Sequence, residues 1–213
     1  MENIKKKIFS IRLKEEIITT SLQQFLKHGI RKMTIRKLAE PMGISTKTVY
    51  KYFHDKEELL KHCLVRHYSE LAKDFNITVP GDSSPLIPLF RLWYHAMELD
   101  FGVNHIFYHD LNYYYPRLQD SILQRFFKKK FSELDKLVDS GIEQGYFRDD
   151  IIPKLILQVV STLYSSITRT DQFKKYKLSP AGLMQNTIEA YLRGICTEKG
   201  LTELKRVYSI ITN

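Results

Sequence analysis

The chain has 213 residues, 43% of them hydrophobic, and a formal charge of +9. That apolar share suffices for a globular core, yet no stretch approaches the roughly 18 uninterrupted apolar residues of a membrane span. Even 155–167 is broken by Gln158, Ser161, Thr162, Ser165 and Ser166. Lys5, Lys6 and Lys7 precede no apolar h-region, so a signal peptide is not expected. Cys63 and Cys196 stand apart from each other and from any CxxC spacing, which argues against a disulfide framework or a structural zinc site. A soluble cytoplasmic protein follows, with both thiols packed as small apolar residues. Residues 1–56 hold 13 Lys/Arg against 5 Asp/Glu, a net +8, and residues 57–213 hold 20 against 19, a net +1. An anionic partner is therefore expected for the first quarter of the chain.

Almost every segment reads with helical period. Ile17, Ile18, Ser21, Leu22, Phe25 and Leu26 share a face over 13–27, and Gly29 follows where a helix end favours positive φ. Thr34 is a candidate N-cap for a short helix to Met42, Gly43 a turn, and Ser45 a second N-cap for a helix to Phe53. Asp55 and Glu58 have capping-box spacing, so a fourth helix is expected from Lys56 to about Phe75. The stretch 76–88, with Pro80, Gly81, Pro85 and Pro88, is the clearest break.

Beyond it, helices are expected at 86–101, 104–115 and 117–144, the last with Ile122, Phe126, Phe127, Phe131, Leu134, Val138 and Ile142 on one side. Pro153 and Pro180 suit first helical positions, predicting helices at 153–169 and 180–198. Strand signals are nearly absent. The expected fold is all-α, an N-terminal three-helix unit over 1–54, a connecting helix over 55–75 and a larger helical domain over 76–213.

In TIRKLAEPMGISTKTVYKYF, residues 34–53, Ala39 lies four positions before Gly43 and Val49 six after it. Two helices crossing steeply at a short turn need that small residue, that flexible turn and the apolar Leu38, Met42, Ile44 and Val49 inside. Thr46, Lys47, Thr48, Tyr50 and Lys51 then project outward, able to bond base edges or phosphates. The alternative is an αα-hairpin with a solvated polar face.

The run from Ile17 to Leu60 resembles the DNA-binding domain of the TetR family: Ile17, Ile18 and Phe25, Gly29, Met33 to Arg36, Leu38, Ala39, Gly43 to Ser45, Thr48 to Phe53, and Asp55 to Leu60. Tyr-x-Tyr-Phe followed by Asp-Lys-Glu and two leucines is its most specific part, and GICTEKGL at 194–201 looks like the tail of the family's last helix. The resemblance implies a recognition helix over Ser45 to Tyr52, with Thr46, Lys47 and Tyr50 at base or backbone contacts and Tyr52 at a phosphate. Thr34 and Arg36 would approach from the preceding helix, and Lys56, at a helix N-terminus, would attract a phosphate. Pro41 departs from a regular second helix, because it cannot donate to the carbonyl of Lys37.

Nine of the 26 aromatic residues fall between 90 and 115. Trp93, Tyr94, Met97, Phe101, Phe107 and Tyr108 are candidate ligand-binding residues, since aromatics with hydroxyl and imidazole neighbours make typical small-molecule sites. They could equally fill a core. His105 and His109 share a face, but no Cys or Glu joins them, so no metal or cofactor is expected. A nucleophile elbow, P-loop, HExxH and dinucleotide turn are all absent, which argues against an enzyme.

Two apolar stripes, Ile156, Val160, Leu163 and Ile167, then Met184, Ile188, Tyr191, Leu192 and Ile195, either enter the protomer core or pair with their copies about a two-fold axis. The resemblance favours a homodimer. The expectation is a homodimeric regulator on a palindromic duplex, released by a small hydrophobic ligand. The alternative is a DNA-binding adaptor whose C-terminal domain docks a protein and has no pocket.

Overall fold

The computed structural model of the protein describes residues 2–74 and 84–211. Most of the Pro/Gly-rich break, 76–83, lies outside the described residues, as do the side chains of Phe127 and Phe131 on the apolar face expected over 117–144. Eleven α-helices form among the described residues: α1 Glu2–His28, α2 Ile35–Ala39, α3 Thr46–Tyr50, α4 Lys56–Asp74, α5 Leu86–Phe101, α6 His105–Tyr114, α7 Pro116–Glu143, α8 Pro153–Thr168, α9 Pro180–Met184, α10 Ala190–Arg193 and α11 Glu198–Ile211. They divide into two compact units, 1–70 with 103–125, and 71–102 with 126–213.

In the first unit, α1 starts at Glu2 rather than near Leu13. Residues 4–9 are all exposed, so no apolar face marks them; they carry no Gly or Pro, and a helix once nucleated extends through such residues readily. Ile17, Ile18, Leu22 and Phe25 are buried with Leu38, Val49, Phe53, Leu59 and Leu60. Thr34 accepts from the Lys37 N–H at 3.3 Å. Pro41 resolves as a 3₁₀ turn over Glu40–Met42, so α2 ends at Ala39 and Gly43 (φ 63°) reverses the chain. Ser45 accepts from the Thr48 N–H at 3.1 Å to start α3. At α4, Asp55 accepts from the Glu58 N–H at 2.8 Å and Glu58 reaches back to the His54 N–H at 2.6 Å, a capping box displaced by one residue.

This unit also takes in α6, which the expected division assigned elsewhere. The backbone N–H of Asn104 donates to the Leu26 carbonyl at 2.9 Å and its side-chain amide to the Lys27 carbonyl at 3.0 Å, satisfying the orphan carbonyls that end α1. Asp110, buried, accepts from the Arg31 N–H at 2.8 Å. Gly29 (φ 81°) is pressed against Ile106 and Asp110, where a Cβ would fall 2.6 Å from Ile106.

The second unit has one apolar cluster built from Leu86, Leu89, Phe90, Trp93 and Met97 of α5, Leu134 and Val138 of α7, Ile156, Val160 and Ile167 of α8, and the residues that follow Pro180. The single helix expected over 180–198 is instead α9, a π-helical turn over Gln185–Glu189, and α10. GICTEKGL, expected as a helix tail, is a break and a restart. Thr197 donates to the Gly145 carbonyl at 2.7 Å and accepts from the Gly200 N–H at 3.1 Å, capping α11. An isolated antiparallel bridge, Phe147 with Cys196, holds the break in place.

Candidate functional site

The segment 34–53 folds as two short helices across a left-handed glycine turn. Leu38, Ala39 and Val49 are buried between them, which fixes which side of α3 remains outward. Thr46, Lys47, Tyr50 and Lys51 are exposed, and Tyr50 keeps 54% of its surface. Ser45 and Thr48 are less available, because their hydroxyls bond each other at 2.9 Å across the cap. Tyr52 is partly buried, its hydroxyl 3.2 Å from Ser10 Oγ. Thr34 is exposed at the start of α2, and Arg36, also exposed, pairs loosely with Glu40 at 3.5 Å. A five-residue helix presenting hydroxyls, amines and a phenol from one rigid turn has the chemistry to meet a major groove.

Lys56 is placed differently from its neighbours. It is half-buried, its Nζ donates to the Ile30 carbonyl at 2.6 Å, and it lies over the Phe25 ring. Burial pulls its pKa below the ordinary lysine value, and Asp110 opposes this by attraction. The ammonium closes the α1–α2 loop, so its charge is partly committed to the fold.

The six aromatic-region residues are divided between the two units. Phe107 and Tyr108 are buried in the first unit, edge to face at 5.1 Å. Trp93, Tyr94 and Met97 are buried, and Phe101 partly buried, in the second. There Trp93 stacks at a tilt on Tyr164 at 5.4 Å, and its buried indole N–H has no hydrogen-bond partner among the described residues. Polar residues without a signal from the aromatic count join them. The Tyr164 hydroxyl donates to Asp100 at 2.6 Å, and Tyr94 donates to Glu189 at 3.2 Å. Arg193 reaches the same Glu189 carboxylate at 2.7 Å. Both acids are buried. Glu189 could have been noticed as a charge inside the apolar stripe 184–195.

Of the nine stripe residues, Ile156, Val160, Ile167, Met184, Ile188, Leu192 and Ile195 are buried in the protomer itself, and only Leu163 and Tyr191 keep partial exposure. Of the two placements open to these stripes, seven of the nine residues pack into the core of their own unit, while Leu163 and Tyr191 keep surface. Apolar groups left outside at the start of α8 include its N-cap Ile152 and Leu155, 63% and 55% exposed. They border an open groove of about 570 Å³ with Ala190, Tyr191 and Gly194, and Arg148 forks onto Asp150 at its rim.

Among the described residues no cluster of His, Cys, Asp and Glu could hold a metal, and no helix is long and apolar enough to cross a membrane.

The family model described as bacterial regulatory proteins, tetR family, matches residues 17–63. The HTH-type transcriptional repressor KstR2 of Mycobacterium tuberculosis is 24% identical over 148 residues, 68% of this chain and 74% of that protein. Its structure, described as a ketosteroid transcriptional regulator, superimposes with a TM-score of 0.63 over 87% of this chain and 95% of its own. The regulator FadR of Bacillus subtilis, in complex with stearoyl-CoA, shares the fold at 18% identity, TM-score 0.64, with 85% and 98% coverage. So does a transcriptional regulator of Saccharomonospora viridis in complex with choline, at 15% identity, TM-score 0.67, with 88% and 99% coverage.

Proposed function

We propose that this chain, whose residues 17–63 match the tetR family model, is a DNA-binding transcriptional regulator of that family and works as a homodimeric repressor released from a palindromic operator by a small hydrophobic ligand. The observation that carries the reading is the outward set Thr46, Lys47, Tyr50 and Lys51 on a helix locked by Ser45, Gly43 and the buried Val49. Bases are read from α3, and Thr34, Arg36 and Tyr52 hold the adjacent backbone. One five-residue helix reads too few base pairs for specificity, so two copies on one duplex face, roughly 34–36 Å apart, are needed. We assign the contact between copies to the outer face of α8 and α10, with Leu155, Val159, Leu163, Ala190 and Tyr191. Those residues retain surface, and Leu155, Ala190 and Tyr191 among them line an open groove.

The ligand is assigned to the second unit, near Trp93, Tyr94 and Met97. The unpaired indole N–H supports a ligand with a hydrogen-bond acceptor on an otherwise apolar body. The stearoyl-CoA and choline held by proteins of the same fold support a small-molecule ligand for this chain. Release follows from linkage: a ligand favouring the DNA-incompetent state lowers DNA affinity by its ratio of affinities for the two states.

The test is a fluorescence-anisotropy titration of a selected duplex. Lys47→Ala and Tyr50→Ala should each cost about 1–3 kcal/mol on that duplex and little on random DNA. Equal affinity of wild type and both variants for the selected duplex would remove α3 as the reading helix. A hydrophobic ligand that raises the melting temperature without loosening the duplex would remove the release mechanism.

A further inference from the structure

The first turns of α1 stand outside everything assigned above. Residues 1–14 hold Lys5, Lys6, Lys7, Arg12 and Lys14 against Glu2 alone. Lys5, Lys6, Lys7 and Arg12 are exposed. Of the acids that follow, Glu15 is paired to Arg66 at 3.1 Å.

This segment is not loose on the fold. Ser10 Oγ lies 3.2 Å from the Tyr52 hydroxyl, and the Lys14 ammonium sits 5.4 Å from the centre of the Phe53 ring. Tyr52 and Phe53 lie two and three residues past the end of α3, so α1 passes the C-terminal end of that helix. Lys6 and Lys7 are four and three residues before Ser10, on the same helical face and one turn further out. At 1.5 Å per residue, the stretch from Ile4 to Ser10 reaches about 9 Å beyond the Tyr52 contact.

Resting on the DNA-binding reading of α3, we propose that the turns of α1 around Lys5, Lys6 and Lys7 are a second phosphate-binding element, gripping the duplex backbone outside the base pairs that α3 reads. Cations on phosphates release condensed counterions and carry no sequence information. The element therefore sets affinity and salt dependence, and it leaves base preference to α3. Ile4, Ile8, Phe9 and Ile11 are exposed on the same segment, and with the lysines they would suit an anionic lipid surface. The duplex is favoured because the lysine face is the one pinned beside α3.

The experiment compares the full-length wild type with Lys5→Gln, Lys6→Gln, Lys7→Gln in one protein. A control of equal charge loss carries Lys136→Gln, Lys175→Gln and Lys205→Gln, three exposed positions of the second unit. Affinity for the selected duplex is measured from 50 to 300 mM salt, on long and flank-trimmed versions. Each lost phosphate contact should lower the slope of log K against log salt by about 0.9, so the α1 variant should lose about 1–3 units and roughly tenfold or more in affinity at 0.1 M salt. The ranking of sequences should be unchanged, and trimming the flanks should abolish the difference from wild type. The control should behave as wild type. If wild type binds its site but the α1 variant has the same slope, or the control loses as much, this inference fails and the regulator reading stands. Lysine-dependent binding to phosphatidylglycerol vesicles, with DNA binding unaltered, overturns it in favour of a membrane. Absence of any specific duplex binding by wild type overturns both.

Discussion

Lys56→Ala separates a structural role from a DNA contact. In the folded chain the Lys56 ammonium donates to the Ile30 carbonyl at 2.6 Å, and Ile30 itself is fully buried. A hydrogen bond with one charged partner is worth about 1.5–3 kcal/mol, and truncation leaves a carbonyl unsatisfied and the stem's contact with Phe25 lost. We expect a loss of about 2 kcal/mol in the first unit, which lowers a domain of this size by roughly 8–16 °C. Lys56→Met, which keeps the stem, should lose less. Urea denaturation followed by circular dichroism reads both.

The pH dependence has a definite sign. Burial places the folded pKa of Lys56 below 10.5, so between that lowered value and 10.5 the unfolded chain binds more protons than the folded one. The stability contributed by the lysine is complete above 10.5 and declines as pH falls through the folded pKa. The difference between wild type and Lys56→Met should therefore widen as pH rises across that window. If Lys56→Ala is as stable as wild type within about 0.5 kcal/mol and its salt slope on the selected duplex drops by one unit, the lysine serves phosphate and the reasoning is wrong.

Gly29→Ala and Gly43→Ala both place a side chain at positive φ, worth roughly 1–2 kcal/mol. Only Gly29 adds a collision, with Ile106, so thermal melts should show it losing clearly more than Gly43, which has nothing within 4 Å of an added Cβ. Ile188→Glu or Leu192→Glu should unfold the second unit, since each buries an unpaired charge in the protomer core. Leu155→Glu with Ala190→Glu should instead give a folded monomer by sedimentation, and a dimer of unchanged affinity would relocate the interface. Cys196, its thiol pushed up to about 11 by burial, and Cys63, pushed up further for the same reason, should resist a thiol reagent until the chain is denatured. Fast native labelling of either would contradict that burial.

The helix-turn-helix was legible because its constraints are local. A cap at Thr34 and Ser45, a glycine at the turn and the spacing of Ala39, Gly43 and Val49 are all written within twenty residues. Pro41 could be read as a perturbation, and its outcome as a 3₁₀ turn follows from the missing N–H. What the sequence did not show depends on contacts distant along the chain. The apolar stripes of α8 and 184–195 have the same period whether they meet a second copy or α5, and most of their residues are buried within the protomer while Leu163 and Tyr191 keep surface. The start of α1 has no periodic signal because residues 4–9 are all exposed. The membership of α6 in the first unit rests on Asn104 and Asp110, each bonded to a residue more than seventy positions away. The break before α11 was hidden because Thr197 and Gly200 form its cap only when Gly145 and Tyr146 lie beside them.

The central claim is sequence-specific reading of duplex DNA by paired copies of α3, and selection of bound duplexes from a random pool by the purified full-length protein tests it most directly. The account predicts enrichment of an inverted repeat whose half-site centres are separated by about 10–10.5 base pairs or a multiple of that spacing. It also predicts that the enrichment disappears with Tyr50→Ala. A pool that remains random after repeated rounds at physiological salt, with the protein folded, would contradict it.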